Sequence, residues 1–346
     1  MSDPRLAGTR DSWVEPGPQD LGGGSYRIPL PLPNDSLRAV NVYALQVPDG
    51  LLLIDGGWAL ADSAEQLAAS LAQVGFGIGD IRRFLVTHIH RDHFTQAVAL
   101  RRQVGARISL GAGERPNLER VLDRIRTRER HDFEHLRRAG ATELLKRLLA
   151  IGNGDETGVG DWELPDEWLA DGTEVRAGER LLRVIATPGH TAGHVVYHDP
   201  ADRLLFAGDH VLPHITPSIG LEPLRPAFPL RDYLDSLRLM LTMDDAMLLP
   251  AHGPVTASVH QRVEELLTHH AVRLDQSEAV ARAGTTGLRA ARALTWTRRQ
   301  RSFDDLDVFN QMLAVAETAA HLDVLVLQGR LTSATDSDGV EIYQVR

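Results

Sequence analysis

Thr87-His88-Ile89-His90-Arg91-Asp92-His93 packs four metal-competent side chains into six residues. His88, His90 and His93 offer imidazole nitrogens and Asp92 offers carboxylate oxygen, the ligand types that a borderline cation such as Zn²⁺ accepts. The residues just before the cluster, Ile81-Arg82-Arg83-Phe84-Leu85-Val86, read as a strand that becomes fully apolar at its C-terminal end. The cluster therefore lies where a strand gives way to a loop, the place where α/β proteins put their chemistry.

Working outward, residues 26–53 carry a short-strand pattern. Ala39-Val40-Asn41-Val42-Tyr43-Ala44-Leu45 and Leu51-Leu52-Leu53-Ile54 flank the turn Pro48-Asp49-Gly50 and predict a hairpin. Asp55-Gly56-Gly57 ends the second strand. Residues 60–74 read as an amphipathic helix, residues 96–103 as another, and Arg107-Ile108-Ser109-Leu110 as a strand. The alternation indicates an α/β fold. Residues 1–24 are rich in Gly and Pro and are expected to be a loose leader. Strand patterns return at 180–187, 195–197, 203–207 and 247–250, with a helix at 233–241.

Two regions break the rhythm. A helical insertion at about 114–150 contains Arg120-Val121-Leu122-Asp123-Arg124-Ile125 and Glu143-Leu144-Leu145-Lys146-Arg147-Leu148-Leu149. Residues 101–147 hold about six more basic than acidic groups, against the sign of the whole chain. The plain reading is a solvated helical hairpin; the sharper one is a lid that attracts an anionic substrate. From residue 256 the texture is helical, with helices expected near 257–281, 287–294, 304–313 and 317–327. The last stops at Gln328-Gly329-Arg330, with Gly placed as a C-cap. A terminal hairpin around Asp336-Ser337-Asp338-Gly339 follows, so that residues 256–346 look like a winged helix.

Bulk properties bound the function. The 346 residues suit one large domain or one domain and a smaller one, and 43% hydrophobic residues is ordinary for a soluble protein. No apolar run approaches the roughly 18 residues that span a bilayer, and the N-terminal residues lack the apolar core of a signal peptide. The cytoplasm is the expected compartment, with no membrane partner. There are no cysteines, so a metal site must be built from His and carboxylate. A net charge of -10 and pI near 5.8 weigh against a broad nucleic-acid surface. Lys146 is the sole lysine, which with the abundant Ala reads as coding bias.

Three further strand ends carry a ligand or a candidate one: Thr187-Pro188-Gly189-His190, Ala207-Gly208-Asp209-His210 and Pro250-Ala251-His252-Gly253. Gly and Pro beside each allow a sharp exit from the strand. With the HxHxDH cluster, the later TPGHT, the GD and the closing AHG, in this order and spacing, residues 25–255 resemble the metallo-β-lactamase fold superfamily of hydrolases. The resemblance is strongest to the glyoxalase II and β-lactamase-like protein 2 (LACTB2-type) branches, and the tail tilts it toward the second. It implies an αββα sandwich and two divalent metal ions, zinc by default, with manganese or iron suited nearly as well by the ligands. His88, His90 and His190 would hold one metal, Asp92, His93 and His252 the other, and Asp209 would bridge them. Ions held there would lower the pKa of a bound water toward neutral and so would supply a nucleophile for a carbonyl or phosphoryl centre. Asp92 would take a proton if its geometry leaves an oxygen free.

Around this set, Asp55 either supports the metal-binding loops from behind or caps the Gly56-Gly57 turn. Thr191 and His194 are expected to orient the ligands. His210, His214 and Tyr43 are candidate substrate contacts, although a plain loop or core role is the simpler reading of each. His131, His135, His269 and His270 read as surface residues on helices. The leading substrate is a thioester or related ester of an anionic small-molecule carrier, because the basic insertion suits such a carrier and would exclude water. Endoribonuclease activity is the runner-up: Arg289, Arg292, Arg298, Arg299 and Arg301 surround Trp296, and Arg with an aromatic can contact phosphates and bases. A third reading makes the metal domain a sensor for a DNA-binding winged helix. In an acidic chain the tail is expected to pack, or to mediate a homodimer, rather than to bind nucleic acid.

Overall fold

Strand and helix alternate in the computed structural model, which describes residues 6, 12–33, 37–127, 133–151 and 161–346. β1 (Gln19–Gly22), β2 (Ser25–Pro31), β3 (Ala39–Val47) and β4 (Gly50–Ile54) form an antiparallel run. α1 (Ala61–Gln73) leads to β5 (Ile81–Val86), and α2 (Arg91–Val104) leads to β6 (Arg107–Gly111); both strands add in parallel. α3 (Arg115–Thr127), α4 (Glu134–Arg138) and α5 (Thr142–Ile151) precede β7 (Glu167–Leu169), the last strand of a 7-stranded sheet. β8 (Glu174–Ala177), β9 (Arg180–Ala186), β10 (Val195–Asp199), β11 (Leu204–Gly208) and, after α6 (Pro229–Met240), β12 (Met247–Pro250) form a second sheet in the order β12-β11-β10-β9-β8. α7 (Val259–Ala281), α8 (Gly287–Ala293) and α9 (Val308–Leu327) precede the hairpin β13 (Leu331–Thr335) and β14 (Glu341–Val345).

The two sheets face each other across a core that contains Tyr43, Ile54 and Leu85 from the first and Val184, Tyr197, Phe206 and Leu249 from the second. β10 and β11 are buried along their whole length, which is why they read as apolar runs without alternation. Outside the first sheet, Leu67, Leu71, Phe94 and Val98 of α1 and α2 cover Leu53, Phe84 and Ile108. Outside the second, Leu230, Tyr233 and Leu237 of α6, Val263 and Leu266 of α7, and Leu322 and Leu325 of α9 cover Val196 and Leu248. Helices thus flank a pair of stacked sheets, and β5, β9, β11 and β12 all end toward one edge, where the His and Asp residues lie.

Several elements differ from the sequence reading, among them the short strands β7 and β8, which it lacked. The first sheet begins before residue 25: β1 pairs with β2, and Trp13 is buried with its carbonyl accepting from Arg27 Nη1 at 2.8 Å. A four-residue, Gly-flanked edge strand carries too little pattern to be seen. α2 starts inside the His cluster, since the backbone N–H groups of His93 and Phe94 both donate to the His90 carbonyl at 3.0 Å. α9 is one helix where two were expected, because its residues near 314–318 are turned into the protein and continue the apolar face.

The insertion is not a freely solvated hairpin. Leu136, Leu144 and Leu145 of α4 and α5 share a core with Ala291, Trp296, Met312 and Val315 of the C-terminal segment. Leu288 N–H donates to the Ala139 carbonyl at 2.9 Å, and Arg147 donates to Gln311 Oε1 at 3.0 Å. His131 lies outside the described residues. Truncating the fully buried Leu136 to Ala should cost about 2–5 kcal/mol, read as a lowered urea midpoint with an unchanged slope. A midpoint equal to that of the wild type would mean that α4 does not share this core.

Candidate metal centre

The start of α2 divides the cluster. His88 and His90 lie on the extended segment after β5, whereas Asp92 and His93 lie in the first helical turn, with His90 as the N-cap. Loops after β9, β11 and β12 bring His190, Asp209 and His252 to the same place, and the seven residues form two adjoining groups, His88–His90–His190–Asp209 and Asp92–His93–His252. In the first, His88 Nε2 and His90 Nδ1 are 3.1 Å apart, His190 Nε2 and His88 Nε2 3.2 Å, and His190 Nε2 and His90 Nδ1 3.0 Å. Nitrogens that bind one tetrahedral Zn²⁺ at ~2.0–2.1 Å stand roughly 3.3 Å from one another, so the triangle has the size that a cation requires.

In the second group Asp92 Oδ2 lies 3.5 Å from His93 Nε2 and 3.4 Å from His252 Nε2. Asp209 faces both groups: Oδ2 is 3.4 Å from His190 Nε2, and Oδ1 is 3.3 Å from His252 Nε2 and 3.7 Å from His93 Nε2. His93 Nε2, His252 Nε2 and Asp209 Oδ1 are buried and have no hydrogen-bond partner. Such atoms are costly to bury unsatisfied, and a second cation would satisfy all three together. The donor set therefore fits two divalent ions.

Each ring is oriented from behind. His93 Nδ1 donates to Asp55 Oδ2 at 2.9 Å, His190 Nδ1 to the Ser218 carbonyl at 2.7 Å, His252 Nδ1 to the Ala39 carbonyl at 2.8 Å, and His90 Nε2 to the Leu221 carbonyl at 2.8 Å. Thr87 Oγ1 donates to Asp55 and so accepts from His88 Nδ1 at 3.0 Å. Asp55 also accepts from the Thr87 backbone N–H at 2.8 Å, which makes it a support of the cluster. His194 Nε2 accepts from the Asp209 backbone N–H at 3.1 Å while its Nδ1 meets Thr187 Oγ1 at 2.8 Å, so this ring positions Asp209. Gly208 between them has φ of +50°, and a Cβ there would lie 2.7 Å from His194 Nε2. Thr191 turns its hydroxyl onto Glu114.

Electrostatics divide the groups as geometry does. Burial, and then the neighbouring rings, hold His88 well below the ordinary imidazole value and His190 at about 4, so both stay neutral. Burial opposes charge on His93 as well, but Asp92, Asp55 and Asp209 outweigh it and push this ring up to about 10. His252 is raised by Asp209 and Asp92 against its burial. Burial alone would raise Asp92 and Asp209; the surrounding imidazoles overcome it and keep both carboxyls low. The second group is thus a place that calls for positive charge.

Some expected residues lie elsewhere. Tyr43 is buried between the sheets and donates to the Pro250 carbonyl at 2.7 Å, so its hydroxyl supports the strand end before His252 rather than facing substrate. His210 is fully buried against Tyr233, and its carbonyl accepts from the Tyr233 hydroxyl at 3.0 Å; burial holds its ring at about 3. His214 is half-buried and offers its carbonyl to Arg298. His270 is not a surface residue: it stacks on His321 inside the α7–α9 interface, at a ring separation of 5.3 Å. Several supports escaped the sequence reading. Asn41 donates to the Pro250 and Gly253 carbonyls at 2.8 Å, and a lone Asn within an apolar strand was the available signal. Arg262 donates to the Leu212 and Ile215 carbonyls at 2.6 and 3.0 Å. Glu114 and Glu222, both buried or nearly so, carried no motif.

Comparison with known proteins agrees with this geometry. The family model described as the Metallo-beta-lactamase superfamily matches residues 35–252. Among curated proteins, the chain is 25% identical over 331 residues to the probable metallo-hydrolase YqjP of Bacillus subtilis, covering 91% of this chain and 96% of that one. It is 34% identical over 106 residues to a β-lactamase-like protein 2 homolog of Caenorhabditis elegans, a match that spans 31% of this chain and only 33% of the relative. It is 24% identical over 244 residues to an atrochrysone carboxyl ACP thioesterase of Aspergillus fumigatus, 70% of this chain and 44% of that one. A crystal structure of a β-lactamase domain protein from Burkholderia ambifaria superposes with a TM-score of 0.79 at 26% identity, covering 95% and 94% of the two chains. That of the metallo-β-lactamase family protein TTHA1429 from Thermus thermophilus superposes with a TM-score of 0.74 at 28% identity, covering 94% and 100%.

His93, pushed up to about 10, and the lowered His88 and His190 predict different proton traffic. A group held neutral at pH 7 gives up no proton to a metal; a group pushed above pH 7 must lose one to bind. Titrating zinc into metal-free protein at pH 7, in buffers of different ionisation enthalpy, should give proton release concentrated in one of the two equivalents. Equal release at both steps would contradict this division.

Proposed function

Because the chain belongs to the metallo-β-lactamase superfamily, whose members are metal-dependent hydrolases, we propose that it is a dinuclear hydrolase acting on a thioester or related ester of an anionic small-molecule carrier. The observation that carries the two-metal reading is Asp209, which presents Oδ2 to one group of rings and Oδ1 to the other. His88, His90 and His190 would hold one divalent ion and Asp92, His93 and His252 the second, with zinc as the default. When bound, the ions supply a nucleophile from water at neutral pH and polarise the acyl oxygen.

The chain's own residues favour a leaving group that departs easily. Every imidazole of the two groups commits one nitrogen to the scaffold and turns the other toward the metal positions. None remains to protonate a poor leaving group such as an amine. Asp92 meets both neighbouring rings through Oδ2, which leaves Oδ1 to take or return a proton, and it is the most exposed of the carboxylates, at 18%. A thiol, with a pKa of about 8.5, leaves as thiolate with little help. The thioesterase among the relatives agrees with this preference. α3 begins beside the His190 loop, where Glu114 meets Thr191, and the excess of basic residues over 101–147 is the feature that suits an anionic carrier.

In this reading residues 25–255 are the catalytic unit, with its insertion at about 114–150, and residues 256–346 form a winged-helix-like unit that packs. The endoribonuclease alternative is weakened by Trp296, whose ring is buried beneath Arg273 at 4.2 Å and whose Nε1 donates to the Ala291 carbonyl at 2.9 Å, leaving no face for a base. The DNA-sensor alternative is weakened by α9, whose Leu322 and Leu325 belong to the core against the second sheet. Among the described residues no helix is long and apolar enough to cross a membrane.

A panel of coenzyme A and glutathione thioesters, a β-lactam, a lactone and RNA tests the proposal. Thioesters should turn over fastest, and Asp209→Ala, still folded by circular dichroism, should lose on the order of 10³-fold in kcat/KM. Cleavage of RNA with no thioester turned over would reverse the assignment.

A further inference from the structure

Two glutamates, one buried and one largely so, take no part in the chemistry above. Glu114 is fully buried at the start of the insertion; one carboxyl oxygen accepts from the Thr191 hydroxyl, and the carboxyl faces the Ile89 backbone N–H. Thr191 follows His190, and Ile89 sits between His88 and His90. Glu222 accepts from the Ala192 backbone N–H at 2.9 Å and from Asn117 Nδ2 at 2.5 Å, while Asn117 Oδ1 accepts from the Leu224 N–H at 2.7 Å. Glu222 directly follows Leu221, whose carbonyl fixes His90 Nε2 at 2.8 Å. One knot therefore joins three segments far apart in sequence: the first turns of the insertion, the loop behind His190 and the loop behind His90.

We propose that Glu114 and Glu222 are positioning residues that lock the His90 and His190 rings and so wire the helical insertion to the first ligand group. The inference rests on the two-metal reading. Packing at the knot is tight: a Cβ on Gly193 would lie 2.0 Å from the Glu114 backbone nitrogen, so the insertion and the His190 loop cannot slide past each other. Burial pushes the Glu114 carboxyl up to about 8 and that of Glu222 to about 7, where Arg225 partly offsets the burial. Glu114 Oε2 and Glu222 Oε1 have no hydrogen-bond partner, an arrangement that a neutral acid tolerates far better than a carboxylate does. It follows that an amide of the same shape can stand in for either acid, whereas loss of the hydrogen-bonding group frees the two rings. Removal of residues that hold metal-ligating histidines typically costs 10–100-fold in metal affinity or activity.

The test uses zinc-loaded full-length protein and follows zinc release to a chromogenic chelator, with thermal melting of the metal-free protein alongside. Glu114→Ala and Glu222→Ala should speed release of one of the two ions by about 10-fold or more, and Glu114→Gln and Glu222→Gln should stay within about threefold of the wild type. Alanine variants that melt lower yet release both ions at the wild-type rate would show a merely structural role and overturn the proposal. So would glutamine variants that fail as alanine does. If an alanine variant does not fold, Glu114→Asp, one methylene shorter, should withdraw from Thr191 and speed release; unaltered release would overturn the proposal equally. Wild-type protein that holds a single zinc ion per chain would remove the two-metal reading and leave the knot to be judged on that ion's release, whereas wild-type protein that binds no zinc would end both.

Discussion

A neutral imidazole has one donor and one acceptor, and in this protein each ligand ring is fixed by its donor. Thr87, the Leu221, Ser218 and Ala39 carbonyls and the Asp55 carboxylate take five N–H groups, so the five opposite ring nitrogens converge on one small volume beside Asp92 and Asp209. Such crowding is favourable only with positive charge among the groups, a proton on His93 or a bound cation. The anchors come from segments spread from residue 39 to residue 221, which means that most of the sheet edges must be in place before the site exists. Metal affinity here is a property of the fold as a whole.

The anchors are themselves supported at some local cost. Asp55 ends β4 with a φ of +61°, a conformation that a non-glycine residue adopts at about 1–3 kcal/mol. The hydrogen bonds from Thr87 and His93 offset that strain and set the direction in which β5 releases the cluster. On the other side Asn41, itself held by Arg27 Nη1 at 2.8 Å, and Tyr43 fasten the carbonyls around His252. β3 thus contributes no ligand and still determines where one of them points.

What could be read from the sequence follows from how local the signal is. The hairpin at Pro48-Asp49-Gly50, the strand before Thr87 and the strand ends before His190, Asp209 and His252 all rest on patterns of four to eight residues. They appear in the structure, and the seven candidate ligands lie together in two adjoining groups. What was illegible depends on partners distant in sequence. The buried state of Leu136 and Leu145 requires α8 and α9, more than 140 residues away. Glu114 and Glu222 look like any surface acids until Thr191 and Ala192 are placed beside them. His270 read as a surface residue because its partner, His321, lies on another helix. The start of α2 was missed because His90, Arg91 and Asp92 break the apolar periodicity while still satisfying the first turn.

The loop from Asp209 to α6 draws these observations together. The C-terminal segment grips its first part, through Arg262 on the Leu212 and Ile215 carbonyls and Arg298 on that of His214. The insertion grips its last part, through Asn117 on Leu224 and Glu222. Between the two grips, Ser218 and Leu221 orient His190 and His90. A loop held at both ends can keep its ligand-orienting carbonyls fixed while its outward side chains vary. Ile215 and Leu224, 43% and 47% exposed, are such side chains, large and apolar on a wall whose inner face is fixed by the metal groups. The strand ends therefore set the donor groups, whereas the loop that the insertion and the C-terminal segment hold between them fixes how two of those rings are turned.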